Sequence, residues 1–200
     1  MATAQTERPE VKILQGKFAK AIRAIKVDRD QLFVCVTVDS LLDVIAELKH
    51  NPDLQYDYFS ECLGVDYSRW EHSRDMPERF EVVYNLMSTK SYSRIFVKVA
   101  VNDGQKIPTL MHLFAGAEYP EKEIGDLFGI LFEGNELPKG ERFMLPDDWA
   151  GFPLRKEYPL GGEDVLFDQG YRGPAVEDVM MPHAGETFEG KTGSEEVSGR

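Results

Sequence analysis

Two neighbouring stretches with alternating apolar residues constrain the fold more than any other part of the sequence. Residues 79–88 read RFEVVYNLMS and residues 93–101 read SRIFVKVAV. Alternation places successive side chains on opposite sides of an extended chain, so each stretch predicts a β-strand with one side turned to a core. A short polar link joins them, which predicts an antiparallel hairpin that other elements must cover.

The segments before this hairpin predict a helix, a buried strand and a second helix. From Glu10 to Ile25, apolar residues recur at steps of three and four, which is typical of one face of a helix. Residues 32–38, LFVCVTV, are apolar on both sides and predict a buried strand. Ser40 can then cap a second helix, which Asn51-Pro52 is expected to end.

Two further segments have weaker patterns. Residues 56–67 are ambiguous, and we interpret them as the end of an element with a turn at Gly64 and a strand nearby. Residues 107–115 predict a short helix that begins near Thr109. Together the elements predict an α+β fold: a single domain over residues 10–134 with a mainly antiparallel or mixed sheet flanked by helices.

Residues 118–134, EYPEKEIGDLFGILFEG, combine many charges with an apolar stripe. Pro120 suits the first turn of a helix, where the helix dipole also favours the charges of Glu121 and Glu123. Gly129 is expected to end the helix, and the following ILFEG to be extended. Helical spacing also predicts a pair between Lys122 and Asp126 and a buried side formed by Ile124, Leu127 and Phe128.

The clustered carboxylates of this helix also allow a hypothesis of a different class, a free-standing enzyme with a glycosidase-like acid pair. Such a pair must converge across a cleft, and residues one turn apart on a helix rarely do so. Charged first turns are common because the helix dipole favours them, so the structural interpretation is preferred.

The chain outside the predicted domain differs in composition. Residues 135–160 are rich in proline and aromatic residues without periodicity, which predicts an extended, irregular segment. Residues 161–200 contain 8 of the 17 glycines and a net charge of −6, half of the total of −12. This acidic tail is not expected to fold by burying apolar surface on its own. Residues 1–9 are expected to form a flexible N-terminal tail.

Charge and hydropathy argue against several classes of protein. A net charge of −12 leaves no basic surface for a nucleic-acid backbone. No apolar run is long enough to predict a membrane span, and the polar N-terminus predicts no export signal. The two cysteines, Cys35 and Cys62, are too few for an iron–sulfur cluster and fit a reducing compartment.

Motif spacing argues against metal and nucleotide sites in this chain. The four histidines fall in unrelated segments without ligand spacing; they are His50, His72, His112 and His183. Residues 185–192, GETFEGKT, match a phosphate-binding loop in letters but lack the preceding strand and following helix that the mechanism requires. We attribute this match to chance.

The motif EKEIGDLFGILFEG (121–134), followed by RFMLPDDWAGFPLRKEYP (142–159), resembles the signature of one family of respiratory proteins. This family is the 30 kDa subunit of proton-translocating NADH–quinone oxidoreductase, which is also called respiratory complex I. Upstream, ECLGVDYS (61–68) and the two hairpin strands are similar to the strands that precede the signature in that family. The signature residues, which are our interface candidates, are Glu121, Lys122, Glu123, Asp126, Phe128, Gly129, Trp149, Pro153, Leu154, Arg155, Lys156 and Tyr158.

The resemblance implies a cofactor-free scaffold, which belongs to an enzyme but has no catalytic residues of its own. Iron–sulfur clusters and FMN would lie in partner subunits of the peripheral arm. The implied partners are the subunit that helps to form the quinone site and its cluster-bearing neighbours. The complex would transfer electrons from NADH to quinone, couple this to proton translocation, and hold the chain on the cytoplasmic side of the cell membrane.

Three residues depart from the family pattern. Lys122 stands where the family usually has arginine, Tyr119 where tryptophan is common, and Asn135 where histidine is preferred. Lysine keeps the charge but lacks the planar fork of arginine. These departures leave open an equivalent subunit of a related membrane-bound hydrogenase or ferredoxin-dependent complex.

Residues 149–159, WAGFPLRKEYP, are the predicted main docking segment. Trp149, Arg155 and Tyr158 belong to the residue types that dominate interface energies, and the two prolines favour an extended chain. The alternative is that these side chains pack back onto the domain's own sheet, because aromatic residues are common in cores.

Overall fold

The computed structural model describes residues 8–158. The helices and strands in chain order are α1 (Pro9–Phe18), β1 (Ile22–Asp28), β2 (Gln31–Val36), α2 (Leu41–His50), β3 (Tyr58–Asp66), β4 (Phe80–Met87), β5 (Arg94–Val101), β6 (Lys106–Pro108), α3 (Glu118–Phe128) and β7 (Leu131–Glu133). The predictions for residues 1–7 and 159–200, including the acidic tail and the GETFEGKT stretch, lie outside the described residues.

Five of the strands form one mixed sheet in the order β1-β2-β5-β4-β3. Strands β4 and β5 pair antiparallel, with Phe80 opposite Val101, which confirms the predicted hairpin. Strands β2 and β5 pair in parallel, and the other two pairings are antiparallel. A separate parallel pair joins β6 to β7. The predicted α+β fold with a mixed sheet and flanking helices is therefore confirmed.

The main core lies on one face of the sheet. Alternate residues of β4 and β5 point to this face and are fully buried, among them Val82, Tyr84 and Val97. The three helices contribute apolar side chains to the same cluster, which are Val11, Leu14, Leu41, Val44, Ile45, Leu48 and Ile124. The apolar periodicity of α2 thus decides which side of that helix is buried.

The segment predicted as one helix from Glu10 to Ile25 is two elements. Helix α1 ends at Phe18, and Ile22 already belongs to strand β1, so the helical prediction is wrong for residues 21–25. Strand β1 pairs with β2 through a tight turn at Arg29 and Asp30, whose φ angles are +48° and +63°. Both central residues have positive φ, as in a type I′ hairpin turn. The pairing supplies backbone hydrogen bonds that local periodicity does not reveal.

The ambiguous segment 56–67 contains one continuous strand, and the predicted turn at Gly64 is wrong. Gly64 lies within β3, where a Cβ atom would be 3.0 Å from side-chain carbons of Ile124 and Phe128. Glycine is therefore needed here because helix α3 packs directly on the strand.

The predicted helix at residues 107–115 is also wrong in part. Residues 106–108 form β6, and a 3₁₀ turn at Ala115–Ala117 leads into α3. The hydroxyl group of Thr109 does not cap a helix but donates to the carboxylate of Glu121, 2.5 Å away. Ser40 likewise precedes α2 as predicted, but its side chain makes no capping hydrogen bond.

Candidate functional site

Helix α3 carries the first half of the signature and begins and ends much as the sequence predicts. Pro120 lies in its first turn, and Gly129 ends it with a φ of +73°, a left-handed conformation that favours glycine. Two features differ from expectation. Glu121 and Asp126 are only 0% and 1% exposed. The predicted pair between Lys122 and Asp126 is absent, because Lys122 binds Glu118 at 2.6 Å instead.

The carboxylate of Glu121 is the centre of a buried hydrogen-bond cluster. It accepts from the hydroxyl of Thr109 at 2.5 Å, from the backbone N–H of Leu110 at 2.8 Å and from the side-chain amide of Asn135 at 2.9 Å. Asn135 also donates to the carbonyl of Glu118 at 2.9 Å. The cluster therefore fixes the start of α3 to the chain that follows β6 and β7, and a buried carboxylate requires such donors.

The carboxylate of Asp126 binds the loop that follows Asn135. Its Oδ2 atom accepts three consecutive backbone N–H groups, those of Phe143, Met144 and Leu145, at 3.2, 2.7 and 3.0 Å. Its Oδ1 atom accepts from the guanidinium of Arg142 at 3.1 Å. Burial alone would raise the pKa of Asp126, but the bonds from Met144, Leu145 and Arg142 outweigh it and hold the pKa below its usual value.

Arg142 closes the same loop from the other side. Its Nη2 atom donates to the carbonyl oxygens of Trp149 and Gly151, at 2.8 and 2.9 Å. One guanidinium group thus joins α3 to both ends of the loop from residue 142 to residue 151. This planar, multiply donating geometry is available to arginine and not to lysine.

Arg155 joins the second half of the signature to the end of α3. It donates to the carbonyl of Phe128 at 2.6 Å and to both carboxylate oxygens of Asp103, at 2.9 and 2.8 Å. Its guanidinium lies 4.5 Å from the ring centre of Phe152. A Cβ atom at Gly129 would be 2.6 Å from that ring, so the close approach as well as the positive φ requires glycine.

Asp66 at the end of β3 holds the last described residues. It accepts from Arg79 at 3.2 and 2.9 Å and from the backbone N–H of Lys156 at 3.0 Å. Arg79 also contacts Glu157. Burial opposes the charge of Asp66, but the bonds from Arg79, Lys156 and Ser68 dominate and lower its pKa strongly.

The remaining signature residues surround these clusters. Glu123, Leu154 and Lys156 are exposed, and Phe128, Trp149, Pro153 and Tyr158 are partly buried. The rings of Trp149 and Tyr158 are stacked with centres 6.5 Å apart. The sequence patterns did not predict Asp66, Arg79, Asp103, Thr109 or Arg142 as site residues. Arg142 lies 16 positions from Asp126 in an irregular loop, where no periodicity marks a partner.

Two surface features border the clusters. A cleft of about 390 Å³ lies between α3 and the segment from Asn135 to Phe152. Beside α3, the rings of Tyr119 and Phe143 are stacked at 5.7 Å, and Met144 is 59% exposed. We call these three residues the apolar patch.

Among the described residues, potential metal ligands are dispersed and the two thiols are buried. Within residues 8–158 no group of three or more histidine, cysteine or acidic side chains is arranged to hold a metal ion. Cys35 and Cys62 are buried, and burial raises the pKa of both thiols, which disfavours the reactive thiolate. Of the helices in this part of the chain, none has the length and apolar character to cross a membrane.

Comparison with known proteins identifies the family. Residues 34–164 match the family described as respiratory-chain NADH dehydrogenase, 30 Kd subunit. A NADH-quinone oxidoreductase subunit of Roseiflexus sp. (strain RS-1) is 42% identical over 155 residues, 77% of this chain and 84% of that protein. The mitochondrial NADH-ubiquinone oxidoreductase 30.4 kDa subunit of Neurospora crassa is 33% identical over 187 residues, which cover 93% of this chain and 63% of that protein.

Solved structures agree with this result. A trypsin-resistant fragment of Nqo5 superposes with a TM-score of 0.55 at 30% identity, over 64% of this chain and 97% of the fragment. A chain of an archaeal membrane-bound sulfane sulfur reductase shares the fold, with a TM-score of 0.59 at 24% identity over 75% of this chain and 84% of that one. The fold and sequence are thus those of respiratory-complex subunits. The chain belongs to the family of the 30 kDa subunit of respiratory-chain NADH dehydrogenase, as the signature predicted.

Proposed function

We propose that this protein is a cofactor-free scaffold subunit in the peripheral arm of a proton-translocating NADH–quinone oxidoreductase. The relatives are named as subunits of NADH-quinone and NADH-ubiquinone oxidoreductases, which supports the complex and its electron donor. In this proposal the chain holds neighbouring subunits in position while the electrons pass through clusters and FMN in those subunits. It has no catalytic residue of its own.

The scaffold role rests on the fact that the signature carboxylates are buried and bind groups of their own chain. A general acid or base must reach a proton on its substrate. Glu121 and Asp126 are instead buried, and each accepts three or more hydrogen bonds from its own chain. The lowered pKa of Asp126 also makes it a weak base. The signature therefore builds a rigid surface, which argues against a free-standing carboxylate enzyme.

The apolar patch and the adjoining cleft are the surfaces that we assign to partner subunits. Tyr119 is 61% exposed although its ring is large and apolar. Aromatic residues contribute strongly when such a surface is desolvated against a partner. We propose that the quinone-site subunit and its cluster-bearing neighbours bind here, on the cytoplasmic side of the membrane.

The predicted docking segment 149–159 remains a prediction, and the structure describes its residues 149–158. The Arg155 side chain donates hydrogen bonds to Asp103 and Phe128 of the same chain, so it anchors the segment to the domain. Leu154 is 48% exposed and Lys156 is exposed, so these two residues are available to a partner. An arrangement of this kind lets a segment dock while its base is held by the domain.

A substitution at the apolar patch tests the proposal. Tyr119→Asp places a charge at the proposed interface and should reduce incorporation into the native complex about tenfold or more, as loss of an interface anchor does. The NADH–quinone activity per assembled complex should stay near that of the wild type. The matched control is Tyr92→Asp, since Tyr92 is 81% exposed at the β4–β5 turn and far from the signature in sequence.

Two outcomes would contradict the scaffold role. One is normal assembly of the Tyr119→Asp protein into a complex that has lost its activity. The other is substrate turnover, or stoichiometric iron or flavin, in the isolated wild-type chain. A complex that assembles but oxidises ferredoxin or hydrogen instead of NADH would favour the related complexes; the archaeal neighbour at 24% identity supports only a shared fold.

A further inference from the structure

The sheet has a second face, opposite the helices, that residues 8–158 only half cover. Ladder pairs place Phe33, Phe96, Asn85 and Glu61 in one row across β2, β5, β4 and β3. These residues alternate along their strands with the core residues, so they share the face away from the helices. The neighbouring row on the same face contains Lys98, Val83 and Leu63.

The chain itself covers one half of this face with the segment from Tyr67 to Arg79, which we call the strap. Met76 of the strap is fully buried in a cluster with Cys35 and Ala100 of the sheet. Arg74 of the strap donates to the carboxylate of Glu81 on β4 at 2.8 Å. The strap thus covers the sheet with one inserted apolar side chain and one cation bound to a β4 carboxylate.

Further ion pairs hold the strap in place. Lys26 and Arg23 of β1 bind Asp75 and Glu78 of the strap, both at 2.5 Å. The guanidinium of Arg74 lies 3.7 Å from the ring centre of Tyr67. An irregular segment with an apolar and a cationic side chain is therefore an effective cover for this type of sheet surface.

The other half of the face, which we call the open half, also presents apolar side chains and a carboxylate, but the strap does not cover it. Leu63 is 49% exposed, and Phe33, Phe96 and Val83 are only partly buried. The rings of Phe33 and Phe96 are stacked, with centres 4.8 Å apart. Phe33 with Phe96 and Val83 with Leu63 are thus two apolar pairs in adjacent rows, beside the polar residues Asn85 and Lys98, and protein interfaces combine apolar and polar groups in this way.

Two polar groups at the centre of the open half are incompletely paired. Asn85 is 3% exposed, and within residues 8–158 its side-chain carbonyl oxygen has no hydrogen-bond partner. Its amide nitrogen donates to the carboxylate of Glu61 at 3.3 Å. Glu61 is exposed and takes part in no ion pair in the described part of the chain. That oxygen is itself shielded from solvent, so the group that a partner can reach is the exposed carboxylate of Glu61.

We propose that the open half binds an irregular segment of a neighbouring subunit, which places a lysine or arginine against the exposed carboxylate of Glu61 and packs apolar residues on Phe33, Phe96 and Leu63. The strap shows the same chemistry on the same face of β4, where Arg74 binds Glu81 beside the inserted Met76. The cation would neutralise Glu61, whose carboxylate is exposed. The proposal rests on the proposed function, since the occupant is another subunit, but it concerns a surface separate from the signature helix.

Site-specific photo-crosslinking in the native complex tests the proposal. A photoreactive residue at Leu63 should crosslink to a partner peptide that contains a lysine or arginine flanked by apolar residues. The same residue at Asp43, exposed on α2, is the control and should give no such product. A third probe at Tyr119 reports on the signature surface, so that failure of the scaffold role is seen separately.

A charge reversal gives a second, independent measurement. Glu61→Lys should weaken incorporation into the complex about tenfold or more, because an opposite-charge pair at the interface becomes a like-charge contact. The control Asp43→Lys should not, and its melting temperature should stay within roughly 2 °C of the wild type, as expected for a surface change. Glu61→Lys also removes the acceptor of the buried Asn85 amide, so its melting temperature should fall by a few degrees, and incorporation is compared at a temperature where both variants are folded.

The proposal is overturned if the probe at Leu63 crosslinks to a second copy of this chain or within the chain. It is also overturned if Leu63 gives no crosslink while Tyr119 crosslinks to other subunits. Normal incorporation of Glu61→Lys would also overturn it. If neither Leu63 nor Tyr119 crosslinks to another subunit, the scaffold function itself fails.

Discussion

Replacing Asp126 by asparagine tests the claim that its carboxylate organises the signature loop. The substitution preserves shape but leaves one acceptor oxygen where the structure uses two. If that oxygen faces the N–H groups of Phe143, Met144 and Leu145, the new amide faces the Arg142 guanidinium, donor against donor. If it faces Arg142, the amide confronts the three N–H groups.

The magnitude follows from what remains unpaired. Removal of one partner from a buried ion pair costs about 3–5 kcal/mol, because the other charge stays buried. The Arg142 side chain is 17% exposed, so some contact with water remains, which places the expected loss near the lower limit, about 3 kcal/mol. Exposed Asp148 provides the matched control, since Asp148→Asn should change the free energy of unfolding by less than about 0.5 kcal/mol.

The assay is urea unfolding of the full chain followed by tryptophan fluorescence, because Trp149 lies in the loop that Arg142 closes. The double variant Asp126→Asn with Arg142→Met completes a double-mutant cycle, which measures the interaction free energy between the two side chains. In the Arg142→Met background, Asp126→Asn should be less harmful by at least about 1 kcal/mol, as expected for coupled residues. A loss below about 1 kcal/mol for Asp126→Asn alone, or strictly additive effects, would refute the reasoning.

Three further predictions concern the same region. Folding lowers the pKa values of Asp66 and Asp126, so the stability that their charges contribute is complete above about pH 4 and is lost as the pH falls through the folded-state pKa values. Urea unfolding measures this, and a free energy of unfolding that stays constant between about pH 5 and pH 2 would contradict it. Gly129→Ala should lower the free energy of unfolding by at least about 2 kcal/mol, because it adds backbone strain and a steric overlap. Gly140 also has a positive φ but no neighbouring atoms, so Gly140→Ala should lower it by about half as much. Equal losses in thermal unfolding would exclude the close-contact explanation. Lys122→Ala should lower assembly or stability of the complex while activity per assembled complex changes little, and an assembled but nearly inactive complex would show that the lysine does more than position surfaces.

Sequence patterns predict the elements whose conformation is determined by neighbouring residues in the chain. The hairpin β4–β5 and strand β2 follow from alternation and apolar runs, and α3 ends at Gly129 because that residue adopts a left-handed conformation. Strand β1 was missed because its register comes from β2, and its apolar residues fit a helical period equally well. The same limitation explains Gly64, whose role depends on a helix that lies far along the chain, beyond β5.

The site was only partly predictable for a related reason. Charges at helical spacing predicted a charged, exposed side of α3 opposite its buried apolar side, yet Glu121 and Asp126 are buried because their donors come from distant segments. Leu145, one donor to Asp126, lies 19 positions away in a loop without periodicity. The family resemblance located the signature residues, but only the coordinates reveal which of them bind each other.

The parallel pairing of β2 with β5 has a consequence for how the protein is made. The hairpin of β1 and β2 is complete by Val36, but its partner strand begins only at Arg94, and β3 and β4 must form in between. Contacts between such distant segments form slowly, because a long loop has to close before they stabilise the chain. During synthesis, Leu32, Val34 and Val36 can pair with β1, but they lack β5 on their other side until Val101 has left the ribosome. The nascent chain is most prone to aggregation in this interval, before it can fold or meet any partner.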